Sequence, residues 1–153
     1  MLIAALLVNS DNISFHDDAT SKKRVIENLS RMLAANTKAT TAEKIFQVLL
    51  ERERLGSTGL GKGVAIPHAR VPDLPNTIAA MLTLSTPVDF DAADGEPIDI
   101  AFGLLVPEDD NEHHLQHLSR LVTLFRDADT CRKIREAASS EAVFELLLSI
   151  DDD

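Results

Sequence analysis

The sequence predicts an α/β fold with a covered sheet, on three observations. Segments with apolar residues three and four apart alternate with compact apolar runs of strand length. Those runs lack the polar alternation of a sheet with one wet face, so both their faces are buried. A chain of 153 residues buries roughly 70% of its unfolded surface, enough for one core, and a single domain over residues 1–153 is expected.

The elements follow in chain order. Met1-Leu-Ile-Ala-Ala-Leu-Leu-Val8 has no basic start and is far shorter than the ~20 residues of a membrane span, so it reads as a short packed helix or strand, without membrane insertion. Thr20 to Leu33 carries Val25, Ile26, Leu29, Met32 and Leu33 at helical spacing. Thr40 with Glu43 three residues on reads as a capping box for a second helix, carrying Ile45, Val48, Leu49 and Leu50 to about Arg54 and stopping at Gly56.

Val64 to Ile66 is a short strand ended by Pro67, which leaves His68 just past a strand end. Ile78 to Leu84 and Ile98 to Val106 are central strands, separated by a polar turn within Asp89 to Gly95. Glu108-Asp-Asp110 supplies N-caps for a helix carrying Leu115, Leu118, Leu121, Val122 and Phe125. Ser139 or Ser140 opens a last helix with Val143, Phe144, Leu146, Leu147 and Ile150, and Asp151-Asp-Asp153 should fray.

A formal net charge of -10 argues against nucleic acid and anionic lipid, which bind Lys- and Arg-rich surfaces, and favours a protein partner with a basic face. The chain has no Trp or Tyr, so platforms for stacking bases or sugars are nearly absent. Its one cysteine, Cys131, permits neither an internal disulfide nor a cysteine metal cluster, and the cytoplasm is the simplest compartment.

Gly56-Ser-Thr-Gly-Leu-Gly-Lys-Gly63 has the GxxxxGK spacing of a nucleotide loop but fails as one. Gly63 stands where a Ser or Thr would hold magnesium, and the segment follows a helix rather than a strand. Two readings remain: an anion site built from loop N–H groups with the hydroxyls of Ser57 and Thr58, or a connector whose glycines only permit tight turns.

Of the five histidines, His16 lies in a polar stretch and carries no site reading. His113 and His117, four apart, have the spacing to share a metal, but the order is not HExxH and no third ligand is at hand. On a helix, His114 shares the stripe of Leu118, Leu121 and Phe125, His117 lies at its margin and His113 outside it. An inward His114 in a first helical turn is disfavoured as an imidazolium by the helix dipole. As a neutral ring it can donate to a phosphoryl oxygen or orient another imidazole, or simply be a satisfied core residue. His68 follows the stiff Ile66-Pro67 pair, which suits a nucleophile.

The run Leu49-Leu-Glu-Arg-Glu-Arg-Leu-Gly-Ser-Thr-Gly-Leu-Gly-Lys-Gly-Val-Ala-Ile-Pro-His-Ala-Arg70 resembles the active-site segment of the enzyme IIA proteins of the mannitol/fructose phosphotransferase class. Within that family the Gly-Ser-Thr-Gly-Leu-Gly form is most similar to the nitrogen-regulatory IIA branch. The strand to Val106, Pro107 and His114-Leu115 fit as well. The resemblance implies a mixed sheet covered by helices on both faces, and a phosphocarrier that takes a phosphoryl group from a histidine phosphocarrier protein onto His68, with no metal and no cofactor. It implies that His114 supports His68, that Arg52 lies near the phosphoryl group, and that Ser57 and Thr58 bind it. The phosphoryl group would serve a regulatory role toward a protein such as a kinase or ion transporter, or pass to the IIB domain of a fructose/mannitol-type transporter. Ala69-Arg70 departs from the Gly-containing pair common in the family, and Arg70 either adds charge to the site or stays solvated.

Overall fold

The computed structural model describes residues 3–151. Helix α1 (Ile3–Leu7) and a single 3-10 turn lead into β1 (Ile13–Asp17), followed by α2 (Lys22–Ala34) and α3 (Ala42–Leu55). Three short strands come next, β2 (Gly59–Gly61), β3 (Val64–Ala65) and β4 (His68–Val71), then the long β5 (Ile78–Val88) and β6 (Ile98–Pro107). The chain closes with α4 (Asn111–Arg126), α5 (Ala128–Glu136) and α6 (Ser140–Asp151).

The sheet is mixed, in the order β1-β5-β6-β3-β2, with β4 also on β6. β5 and β6 are antiparallel, whereas β1 runs parallel to β5, and β3 and β4 run parallel to β6. Strand alternation divides the core into two layers. Ile100, Phe102, Leu104 and Val106 of β6 face Ile3, Leu7, Leu121, Phe125, Ile134 and Leu147 from α1, α4, α5 and α6. Ala101 and Leu105 face Val25, Ile26, Leu29, Ile45 and Leu49 from α2 and α3. Helices therefore cover both faces, as expected.

Several local details differ from the sequence reading. The cap of α3 is Thr41, whose hydroxyl accepts the N–H of Lys44 at 3.3 Å, so a simple cap one residue later replaces the Thr40–Glu43 box. β5 runs on past Leu84 through an irregular stretch to Val88. β1 was not foreseen, because Ile-Ser-Phe-His-Asp is half wet at a sheet edge. Nor was α5, in which Ile134 is the one large apolar residue among its buried side chains. Leu115, expected on the apolar stripe, is 66% exposed.

Pro67 interrupts a strand without ending it. Val64 pairs with Ile100 and Ala65 with Ala101, while His68 pairs with Leu104 and Ala69 with Leu105, so the register is unbroken across the gap. Proline has no N–H to give, but its carbonyl accepts from Leu104 at 2.9 Å and keeps the ladder aligned. His68 is thus the first residue of β4, anchored on the central strand β6, rather than a residue beyond a strand end.

Candidate active site

β4, the last turns of α3 and the first turn of α4 enclose a cavity of about 390 Å³ lined by Val48, Glu51, Arg52, Leu55, His68, Ala69, Arg70 and His114. A larger groove between α2 and α3, about 560 Å³, has Lys23, Glu27, Ser30, Arg31, Glu43 and Phe46 on its walls but no histidine, and the Ser30 hydroxyl is spent on the Ile26 carbonyl of its own helix, so the chemistry points to the smaller cavity.

His68 is half-buried, and its Nδ1–H donates to the Ile66 carbonyl at 2.7 Å. A carbonyl can only accept, so the proton sits on Nδ1 and the lone pair on Nε2. Ile66 is held in turn, its N–H donating to the Thr58 carbonyl at 3.0 Å. Burial lowers the His68 pKa below its ordinary value, the bond to Ile66 raises it, Arg52 lowers it and Glu53 raises it. The ring is accordingly neutral near pH 7, the form that can attack an electrophile.

His114 projects from the first turn of α4, capped by Asp110, whose carboxylate accepts the His113 N–H. Its ring centroid is 5.6 Å from that of His68, at 45°. It is buried, and burial lowers its pKa first, with His68, Arg70 and His117 adding to the effect and Asp110 opposing it. Two neutral imidazoles thus face one cavity.

Arg52, on the last turn of α3, caps its own helix by donating to the Gly56 carbonyl at 2.8 Å. Arg70, two residues beyond His68 on the same strand, donates to the Asn111 side chain at the start of α4. The cavity therefore joins two guanidinium-bearing side chains to two imidazoles, a set suited to a small, doubly charged oxyanion.

His68, His114 and Arg52 are brought together; Ser57 and Thr58 are turned away. The Ser57 hydroxyl donates to the Phe90 carbonyl at 2.8 Å, and the buried Thr58 hydroxyl donates to Glu53. The glycine segment is a β-hairpin, not an open anion loop. Gly61, Lys62 and Gly63 turn it with φ of 88°, 58° and 85°, and the Lys62 carbonyl accepts from Arg135 at 2.9 Å.

Sequence reasoning left Arg70 undecided between the site and solvent, and did not pick out Glu53 or Leu55. Arg70 was findable, because residues i and i+2 of a strand share a face. Leu55 is 86% exposed at the cavity wall, and an apolar residue directly before the helix-ending Gly56 was its only signal.

The remaining histidines lie elsewhere. His117, expected at the margin of the stripe, is buried at 3% exposure, and neither ring nitrogen has a hydrogen-bond partner among the described residues. It lines a separate hollow with Leu6, Asn76 and His113. His113 is exposed and bonds Asp110 through Nδ1 at 2.9 Å. Among the described residues no group of three or more His, Cys, Asp and Glu side chains is arranged to hold a metal ion, and no helix is long and apolar enough to cross a membrane.

Comparison with known proteins bears on this arrangement. Residues 6–150 match the family model of the phosphoenolpyruvate-dependent sugar phosphotransferase system, EIIA 2. A nitrogen regulatory protein of Pseudomonas aeruginosa is 42% identical over 132 residues, 86% of each chain. The crystal structure of the nitrogen regulatory protein IIA-Ntr of Neisseria meningitidis superposes with a TM-score of 0.89 at 36% identity, over 95% of this chain and 98% of that one. The mannitol IIA chain of Escherichia coli, in its complex with phosphorylated enzyme IIBMTL, shares the fold at a TM-score of 0.74 and 20% identity, over 91% and 95% of the two chains. With its sheet, its helical layers and almost its whole length accounted for, the chain belongs to the EIIA 2 family of the phosphoenolpyruvate-dependent phosphotransferase system.

Proposed function

We propose that the protein is a cytoplasmic phosphocarrier of the nitrogen-regulatory type, accepting a phosphoryl group from a histidine phosphocarrier protein onto Nε2 of His68. The observation that carries this reading is the His68 Nδ1–Ile66 carbonyl bond, which leaves an unprotonated Nε2 in a cavity shared with Arg52, Arg70 and His114.

In the proposed step, the Nε2 lone pair forms a new N–P bond as the N–P bond of the donor phosphohistidine breaks. The bonding pair stays on the donor nitrogen. The proton on Nδ1 does not move. It stays on the nitrogen, hydrogen-bonded to the Ile66 carbonyl, and the His68 ring takes up the positive charge that the donor ring gives up. Arg52 and Arg70 offset the roughly two negative charges of the arriving group. A neutral His114 donates to a phosphoryl oxygen without adding a competing charge beside His68.

Incubation with phosphoenolpyruvate, the general phosphotransferase enzyme and the histidine phosphocarrier should place an acid-labile phosphate on the protein. Labelling should vanish in His68→Ala and persist in His113→Ala. Acid-stable phosphate, or undiminished labelling of His68→Ala, would overturn the reading.

A second reading has support in the mannitol IIA neighbour, whose structure is a complex with phosphorylated enzyme IIBMTL. On that reading the group passes from His68 to a IIB domain of a fructose/mannitol-type transporter. The regulatory reading is favoured by the 42% identity to a nitrogen regulatory protein, and implies a regulated partner such as a kinase or ion transporter. Capture from cell extract with phosphorylated and unphosphorylated protein separates the two, by whether a IIB domain or a regulated protein is retained.

A further inference from the structure

Beside the cavity lies a buried charge that the proposed transfer does not use directly. Glu53, on α3 next to Arg52, has a side chain only 1% exposed. Its carboxylate accepts the Thr58 N–H with both oxygens at 3.2 Å and also the Thr58 hydroxyl. Lys22 of α2 completes the set, with Nζ 3.0 Å from Glu53 Oε2. Lys22 is itself held, donating to the Phe90 carbonyl at 3.2 Å and lying 4.8 Å from the centre of the Phe90 ring. A carboxylate removed from water at this depth is costly unless paired and hydrogen-bonded, and here it is both.

What this arrangement holds in place is the Thr58 peptide. Its N–H is fixed by Glu53, and its carbonyl receives the Ile66 N–H at 3.0 Å. The Ile66 carbonyl then receives His68 Nδ1–H at 2.7 Å. On its other side the segment is pinned by the Leu104 N–H on the Pro67 carbonyl. The links run without a gap from Lys22 through Glu53, Thr58 and Ile66 to the imidazole.

We infer that Glu53 is a positioning residue for His68, acting through Thr58 and the Ile66 peptide to keep the proton on Nδ1 and the lone pair on Nε2. This rests on the reading of His68 as the phosphoryl acceptor. The buried carboxylate has a second effect once the phosphoryl group arrives, because its negative charge favours the cationic form of the ring. An imidazole freed from the Ile66 carbonyl would divide its proton between the two nitrogens. Only molecules with the lone pair on Nε2 would then be competent to attack.

Nitrogen NMR of ¹⁵N-histidine-labelled, unphosphorylated protein reads the tautomer directly. His68 should show a protonated Nδ1 and an unprotonated Nε2 in the wild type and in Glu43→Gln, an exposed control on the same helix. In Glu53→Gln the two shifts should move toward each other. The transfer rate should fall by about 10- to 100-fold, as for other residues that orient a reacting group from behind, with the KM for the phosphocarrier little changed. Lys22→Met, which removes the partner of the carboxylate, should shift the tautomer in the same direction and serves if Glu53→Gln does not fold. Folded variants whose His68 tautomer matches the wild type would overturn the inference, whatever their rate. A wild-type protein that takes no phosphate would overturn the proposed function instead, while the tautomer measurement would still decide the role of Glu53.

Discussion

The His68 imidazole is tied to the carbonyl of Ile66, the residue immediately before Pro67, by a 2.7 Å bond from Nδ1. On the proposed function, this bond leaves Nε2 as the nitrogen free to react. The phosphorylated protein should carry its phosphate on Nε2, and two-dimensional NMR correlating ring carbons, nitrogens and phosphorus distinguishes the two isomers. Phosphate on Nδ1 would require the ring to leave Ile66 and would contradict the site as described.

Arg52 lowers the pKa of His68, since a nearby positive charge disfavours the imidazolium. In Arg52→Gln the His68 pKa should therefore rise. At a given pH below neutrality less of the ring is then neutral, so the acid limb of the transfer profile should move to higher pH. Loss of the guanidinium from the developing charge should also slow transfer by about 100-fold or more. A ring titration followed by NMR and a rate profile between pH 5 and 8 check both parts. An unmoved titration would mean that Arg52 does not sense His68.

His117 is buried with both ring nitrogens unpartnered among the described residues, and burial lowers its pKa from the usual 6.5. The unfolded chain therefore binds this proton more readily than the folded one. Its contribution to stability is complete above about pH 6.5 and declines as the pH drops from there toward the lower folded-state pKa. Replacement by an apolar residue removes both the titration and the unpaired groups. His117→Leu should be more stable than the wild type by about 1–3 kcal/mol and should lose less stability on acidification. Urea unfolding at pH 7.5 and pH 5.5 measures this; an unchanged pH slope would be contrary to expectation.

Gly63 has φ +85°, and an added Cβ would lie 2.6 Å from Nη2 of Arg135, the side chain that also bonds Asp99 and the Lys62 carbonyl. Gly63→Ala should cost about 1–3 kcal/mol in backbone strain, with the displaced arginine adding to it. Gly95→Ala, at φ +74° with nothing within 4 Å of the added carbon, isolates the backbone part. Equal losses for the two variants would show that Arg135 yields freely.

Because Thr41 rather than Thr40 caps α3, Thr41→Ala should destabilise by about 1 kcal/mol while Thr40→Ala changes little. Denaturant midpoints of the two variants decide between the observed cap and the capping-box reading.

Elements with a strong apolar period were legible in the sequence: α2, α3, α4 and α6, and the two strands whose both faces are buried. β1 was not, since an edge strand needs little apolar surface and Ser14, His16 and Asp17 mask it. α5 was hidden because its packing rests on Thr130, Cys131 and Ile134. At the site, the inward side of α4 singled out His114, and the matched run carried Arg52. Hydroxyl direction could not be read: Ser57 and Thr58 lie in the same matched run as His68, yet Phe90 and Glu53 claim them. Nor could the burial of His117, which depends on the residues around Pro75 and Leu6 meeting it from distant parts of the chain. Leu115 failed for the opposite reason, since the periodicity admits it to the stripe but no element packs over it.

The two helices that supply Arg52 and His114 belong to opposite layers of the core, with the sheet between them and His68 on the strand at its margin. The distance across the cavity is therefore a caliper on the thickness and alignment of the whole sandwich. Trimming Leu49 beneath α3 or Leu121 beneath α4, side chains that never meet the cavity, should change its span and so the rate of transfer. Volume-conserving replacements at the same two positions should not.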